Sequence, residues 1–142
     1  MIAANSLEQR PSALIDTGAV RCYFPKGVGE ALGFKFSAFD KDFEAEIGGA
    51  PRPVQMKMVT LSLPGDPAAY WETEVAFFLE EWQINYGILG QQGFLDRFVV
   101  SFNYSANYFV VETVESWDER TPPDPFEEFQ KEQEGWWRPR PD

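Results

Sequence analysis

Apolar and polar residues alternate over several short stretches of the chain, which is the pattern of β-strands that bury one face. Val20, Cys22 and Phe24 recur at every second position in one stretch, and residues 70–79 form another. Residues that favour turns, mainly glycine and proline, separate these stretches. The pattern predicts strands at residues 1–4, 12–16, 20–24, 34–47, 53–63, 70–79, 98–102 and 108–111. We therefore expect an all-β fold.

Two segments have helical features instead. Residues 25–33 start with a proline and end with a glycine, which are typical of the first turn of a helix and of the position after its end. Phe94, Leu95 and Phe98 recur at helical spacing, so a short helix is also predicted within residues 91–98.

A pair of glycines lies between the two longest predicted strands, residues 34–47 and 53–63. Gly48 and Gly49 permit positive φ angles, so they suit the tip of a tight hairpin. A plain hairpin turn is one interpretation of this element. The other is a mobile hairpin that closes over a bound chain and excludes water.

An acidic residue ends one predicted strand, where the sequence Ala-Leu-Ile-Asp is followed by Thr17, Gly18 and Ala19. A carboxylate at the end of a buried strand is costly unless hydrogen bonds compensate it. Thr17 offers a hydroxyl group, and Gly18 lets the main chain turn and bring its N–H close to the carboxylate. Asp and Gly are also ordinary turn residues, so a strand-end turn is the simpler interpretation of Asp16-Thr17-Gly18, here called the acid loop.

A second motif, Ile88-Leu89-Gly90, follows the glycine hairpin and precedes the short helix predicted at residues 91–98. With this order of motifs, residues 2–112 resemble the retropepsin-like aspartic proteases. The resemblance implies a closed β-barrel with one short C-terminal helix, in which the hairpin at Gly48 and Gly49 is the flap. It also implies that Ile88, Leu89 and Gly90 lie beside the acid loop and support it.

The same resemblance implies an aspartic endopeptidase and gives roles to individual residues. Asp16 would be the catalytic acid and base, Thr17 would hydrogen-bond across a twofold axis, and Gly18 would let two acid loops approach each other. The substrate would be an extended peptide or protein chain, contacted by Ala19, Val28, Ile47, Gly48 and Gly49. Because water is the nucleophile in such enzymes, no metal and no organic cofactor are expected.

Hydrolysis by paired carboxylates requires one ionised acid, which takes a proton from water, and one protonated acid, which polarises the carbonyl group. The chain contains one Asp-Thr-Gly sequence. No other aspartate of the domain has this context: apolar residues do not precede, and Thr-Gly does not follow, Asp40, Asp42 or Asp96. The second carboxylate is therefore expected from a second copy of the chain, which predicts a homodimer with the cleft at its twofold axis.

Two other functions are consistent with the sequence. A retropepsin-like fold could serve as a non-catalytic dimerisation or peptide-binding module, with the acid loop as a structural hydrogen-bond acceptor. The intact Asp-Thr-Gly sequence argues against this, because an inactive copy would be free to lose the acid. The third hypothesis is that the acidic C-terminal segment, which carries Trp136 and Trp137, is an interaction segment.

The amino-acid composition limits which classes of function and which cellular compartment are expected. The chain has 142 residues, 44% of them hydrophobic, which suits one globular domain. A net charge of −11 disfavours nucleic acid and anionic membrane surfaces as partners. The absence of histidine excludes a Ser-His or Cys-His catalytic pair within the chain. No apolar run reaches about 18 residues, residues 1–10 do not resemble a signal peptide, and Cys22 is the single cysteine, so a cytoplasmic protein is predicted.

The composition changes after residue 112. Nine of the 23 acidic residues lie between Glu112 and Glu134, and three prolines interrupt this segment at residues 122, 123 and 125. We therefore predict a protease-like domain at residues 1–112 and an acidic, partly disordered tail at residues 113–142, with a short helix at residues 126–134.

Overall fold

The structure of the chain, a computed structural model, describes residues 1–66 and 69–120. The described residues divide into two compact units, and the division falls between Asp96 and Arg97. The described residues of the first unit form β1 Ile2–Ala4, β2 Leu7–Gln9, β3 Ala13–Ile15, β4 Tyr23–Phe24, α1 Lys26–Ala31, β5 Phe43–Ile47, β6 Ala50–Ser62, β7 Tyr70–Phe78 and β8 Gly87–Leu89. Those of the second unit form β9 Phe98–Asn103, β10 Tyr108–Thr113 and α2 Val114–Arg120. The prevalence of strands confirms the all-β prediction.

The strands of the first unit form one eight-stranded sheet with the order β2-β1-β6-β7-β4-β8-β3, and β5 pairs with β6. The sheet curls into a half-barrel, so the prediction of a closed barrel is wrong. In the described part of the chain, the two ends of this order, β2 and β3, do not pair with each other.

The hairpin predicted at the glycine pair is present. Strands β5 and β6 are antiparallel, and Ile47 pairs with Ala50 across a two-residue turn. Gly48 and Gly49 have φ angles of +64° and +78°, which a turn of this kind requires and which glycine adopts without strain. The first strand is shorter than predicted, because Phe34 and Phe36 fold onto the ring of Phe77 instead of extending the hairpin.

The helix predicted at residues 91–98 does not form, and this prediction is wrong. Residues 91–97 form turns in which the N–H groups of Leu95 and Asp96 donate to carbonyl groups five residues earlier, on Gly90 and Gln91. Gly93 has a φ angle of +96°, and its N–H donates to the Asp96 side chain over 3.1 Å. A residue in the left-handed region interrupts an α-helix, so the apolar spacing alone was misleading. The helix predicted within residues 25–33 is present as α1.

The sheet has a packed cluster on each face. One cluster, here called the Tyr23 cluster, consists of Tyr23, Ala45, Val54, Ala76, Phe78 and Ile88, all of them buried. On the opposite face, Phe24 and Phe77 pack with the rings of Phe34 and Phe36. Helix α1 lies close to this second group, since a Cβ built on Gly29 would be 2.5 Å from a ring atom of Phe36.

The second unit begins with a hairpin, as predicted. Strands β9 and β10 are antiparallel, and Tyr108 pairs with Asn103. Helix α2 follows directly and packs against both strands. The helix predicted at residues 126–134, the Trp136 and Trp137 pair and most of the predicted tail lie outside the described residues. The domain boundary at residue 112 stays a prediction.

Candidate active site

The acid loop follows β3 at one edge of the sheet. Strand β3 pairs in parallel with β8, which places Leu14 beside Ile88 and Ile15 beside Leu89. The main-chain N–H of Asp16 continues this ladder by donating to the carbonyl oxygen of Leu89 over 3.0 Å. The position of Asp16 is therefore fixed by β8, an element far away in the sequence.

The carboxylate of Asp16 is half-buried and turned back onto its own loop. Its Oδ1 atom accepts a hydrogen bond from the N–H of Gly18 over 2.9 Å, which is an Asx turn. A Cβ built on Gly18 would be 3.3 Å from that same oxygen, so glycine gives this turn its room. Among the described residues, Oδ2 of Asp16 accepts no hydrogen bond, which leaves its lone pairs for a water molecule or a second carboxyl group.

The segment Ile88-Leu89-Gly90 lies directly against the acid loop. Gly90 is enclosed so tightly that a Cβ there would be 2.5 Å from the carbonyl oxygen of Ala19 and even closer to that of Arg21. The next residue, Gln91, donates its main-chain N–H to Ala19 over 2.8 Å. The structure thus brings together the two motifs that carry the resemblance, and only glycine fits at position 90.

Gln91 is a residue that the sequence analysis missed. Its side-chain Nε2 donates to the carbonyl oxygen of Thr17 over 2.9 Å, so it holds the centre of the acid loop. The Thr17 side chain is exposed, and its predicted hydrogen bond across a twofold axis stays a prediction. Gln91 directly follows the Ile-Leu-Gly motif, and this adjacency was the signal available in the sequence.

The residues predicted to contact substrate fall into two places. Ala19 and Ile47 both pack against the Tyr23 cluster, so the residue after the acid loop and the hairpin border the same apolar surface. Gly48 lies over Trp82, since a Cβ built on Gly48 would be 3.8 Å from Cζ2 of that ring. Gly49 has no heavy atom within 4 Å of its Cβ position and stands in open space.

Val28 lies in an adjoining place, since Phe78 and Trp82 border both regions. It lines a cavity of about 290 Å³ between the start of α1 and the loop after β7, together with Phe78, Trp82 and Ile84. None of the acid-loop residues lines this cavity. Trp82 both packs edge-on against Phe78 and lines the cavity.

Cys22 has no features of a reactive group. Its side chain is completely buried, and Sγ donates to the carbonyl oxygen of Gln92 over 3.4 Å. Burial raises the pKa of this thiol to about 11, so it carries no thiolate at neutral pH.

Neither a metal site nor a membrane-spanning helix is found within residues 1–66 and 69–120. No group of three or more Cys, Asp or Glu side chains is arranged to hold a metal ion. No helix there has the length and apolar character needed to cross a membrane. Comparisons with protein-family models, curated proteins and solved structures give no match for the chain.

Proposed function

We propose that this protein is an aspartic endopeptidase that acts as a homodimer. The observation that carries the proposal is the junction of the acid loop with Ile88-Leu89-Gly90. A plain strand-end turn needs no such arrangement, whereas here hydrogen bonds from Asp16, Gln91 and the Asx turn fix both the loop and its carboxylate. Holding a carboxylate in one position is what catalysis by a paired acid requires.

In the proposed reaction, two Asp16 side chains face each other across a twofold axis. One ionised carboxylate takes a proton from a water molecule as the water oxygen attacks the peptide carbonyl carbon. The other carboxyl group is protonated and donates a hydrogen bond to the carbonyl oxygen, which gains negative charge. The C–N bond then breaks as the leaving amine takes a proton from the pair.

The remaining predicted residues would position the two loops and the substrate. Thr17 would join the two loops across the axis, while Gly18 would keep the space between them open. The hairpin at Gly48 and Gly49 would act as a flap whose main chain holds an extended substrate, because this hairpin borders the same apolar cluster as Ala19. Ile47 would contribute an apolar wall to the cleft.

The test combines solution mass with hydrolysis of a mixed peptide library from about pH 3 to about pH 7. We expect a dimer that cleaves peptides, and we expect Asp16→Asn to lose cleavage by at least about a thousandfold while it stays folded and dimeric. Asp40→Asn is the matched control, because this exposed acid lies outside the acid loop. A strict monomer contradicts the mechanism, and a dimer without cleavage at any pH favours the peptide-binding module.

A further inference from the structure

Arg52 lies on the face of the hairpin that carries the Tyr23 cluster. It pairs with Ala45 across β5 and β6, and Ala45 belongs to that cluster. Side chains paired directly across two strands lie on the same face of a sheet. Arg52 therefore points to the side on which Ile47 and Ala19 border the apolar surface, and not to the outer face.

The guanidinium group of Arg52 stacks on an aromatic ring and has no anionic partner within the described residues. Its carbon Cζ lies 4.2 Å from the centre of the Trp82 ring, and its Nε atom is buried without a hydrogen bond. Among residues 1–66 and 69–120, no carboxylate comes within ion-pair distance of Arg52, although the chain has 23 acidic and only 12 basic residues. A partly buried cation is costly unless an anion or hydrogen bonds compensate it.

Trp82 gives this cation a fixed position at the proposed cleft. The ring lies under Gly48 at the hairpin tip, and together with Val28 and Ile84 it lines the cavity described above. Stacking restricts the guanidinium plane, so the N–H groups of Arg52 are oriented in advance for a planar anion. A carboxylate matches this geometry, because it can accept two parallel hydrogen bonds.

A second arginine lies on the same face. Arg21 is two residues before Tyr23 on the same side of the chain, and its Cζ is 5.4 Å from the centre of the Phe43 ring. Within the described residues it forms no ion pair either. Two arginines without an ion pair among the described residues therefore lie on this face of a chain whose net charge is −11.

Nearby acids do not neutralise this site. Glu80 and Glu81 line the same cavity as Trp82, but both are exposed and neither pairs with Arg52. Exposed charges are screened by solvent, whereas the stacked arginine is partly shielded from it. Lys26 also lines this cavity, and it pairs with Glu30 over 3.6 Å.

We propose that Arg52, held on Trp82, selects substrates that carry a glutamate or aspartate side chain near the cleaved bond. This inference rests on the proposed function and specifies its substrate class. Arg52 is thus a specificity residue, and it takes no part in proton transfer.

The test compares two peptide libraries that differ only by Glu or Gln at one position at a time, assayed at about pH 5.5, where a peptide glutamate is ionised. At the substrate position that meets Arg52, we expect kcat/KM to be about tenfold higher for the Glu peptides than for the Gln peptides. A tenfold ratio is the effect expected of one charge-assisted hydrogen-bonded pair. Arg52→Gln should bring this ratio close to one, and Arg52→Lys should retain only part of it, because lysine keeps the charge without the planar fork.

Lys57→Gln is the matched control. Lys57 lies on the same strand, β6, but its side chain contacts the ring of Phe34 on the opposite face. This variant removes the same charge and should keep the preference for Glu. Thermal unfolding of each variant shows whether it is folded, and the ratio measured for the unaltered protein remains decisive if Arg52→Gln does not fold.

The outcomes separate the two proposals. Cleavage with no Glu preference at any position, or a preference that Arg52→Gln leaves unchanged, overturns the inference and leaves the proposed function intact. If no library is cleaved at all, the proposed function fails and the substrate inference fails with it. A Glu preference that depends on Arg52 but not on Lys57 supports both.

Discussion

The main-chain N–H of Asp16 donates a hydrogen bond to the carbonyl oxygen of Leu89 over 3.0 Å. It is the first bond beyond the parallel ladder of β3 and β8, so the ladder and the acid loop form one continuous structure. Anything that moves β8 therefore also moves the carboxylate.

Gly90→Ala should disrupt the junction between the two motifs. The new Cβ would overlap the carbonyl oxygens of Ala19 and Arg21, and neither main-chain group can move without breaking the loop. We expect the free energy of unfolding to fall by at least about 3 kcal/mol, measured by urea denaturation. Gly27→Ala, in helix α1, meets no heavy atom within 4 Å and should gain about 0.5–1 kcal/mol. Equal effects of the two substitutions would contradict this account.

Asp42→Ala should loosen the base of the hairpin. Oδ2 of Asp42 accepts a hydrogen bond from the main-chain N–H of Met56 over 2.7 Å. The main-chain N–H of Asp42 donates to the carbonyl oxygen of Val54 over 2.9 Å. Without the carboxylate, the N–H of Met56 loses its charged acceptor. The free energy of unfolding, measured by thermal unfolding, should therefore fall by about 1–2 kcal/mol. Asp40→Ala, at an exposed position two residues earlier, should change stability by less than about 0.5 kcal/mol. A larger loss for Asp40→Ala would show that general charge effects dominate.

Cys22 should resist alkylation in the folded protein. Burial raises the pKa of its thiol from 9.0 to about 11, so the thiolate needed for reaction with iodoacetamide is scarce at about pH 8. We expect alkylation at least about a hundredfold slower in buffer than in concentrated urea, where the chain is unfolded and burial no longer raises the pKa of the thiol. Similar rates in the two solutions would mean that the thiol is accessible.

The same pKa shift predicts a loss of stability at alkaline pH. The folded state holds the thiol proton more tightly than the unfolded state, so this contribution is complete below about pH 9 and is lost as the pH rises towards about 11. Its size is about 2–3 kcal/mol. Cys22→Ala should show a shallower decline over this range, and urea denaturation at several pH values measures the difference. Parallel curves for both proteins would contradict the prediction.

The stability cost of a substitution at position 48 should depend on how readily the new residue adopts a positive φ angle. Gly48 has a φ angle of +64°, which asparagine adopts far more readily than β-branched residues. The nearest atom to its Cβ position is in Trp82 at 3.8 Å, so space is not limiting. We expect Gly48→Asn to cost less than about 1 kcal/mol and Gly48→Val about 2 kcal/mol in thermal unfolding. Equal costs would indicate that the turn changes its type.

The sequence predicted the local elements well where one signal dominated. The glycine pair located the hairpin tip, and period-two alternation located β7. The prediction failed where tertiary contacts prevailed over local pattern. Residues 34–42 alternate like a strand but fold back because Phe34 and Phe36 pack on Phe77.

The candidate site was predictable only in part, for a similar reason. Asp16 and Ile88-Leu89-Gly90 were found because each motif is contiguous in the sequence. Gln91 and Arg52 were missed because their contacts, with Thr17 and Trp82, depend on pairing between distant strands. A register of this kind follows from the whole sheet and not from either segment alone.

The parallel pairing of β3 with β8 also determines when the acid loop can form. The hydrogen bond between Gln91 and Thr17 joins residues 74 positions apart, so a long loop must close before the acid loop acquires its support. Contacts this distant in sequence slow folding and form only once the intervening chain is in place. A growing chain on the ribosome therefore carries Asp16 in an unsupported loop until residue 91 has emerged, and any hydrolytic activity begins only after that point.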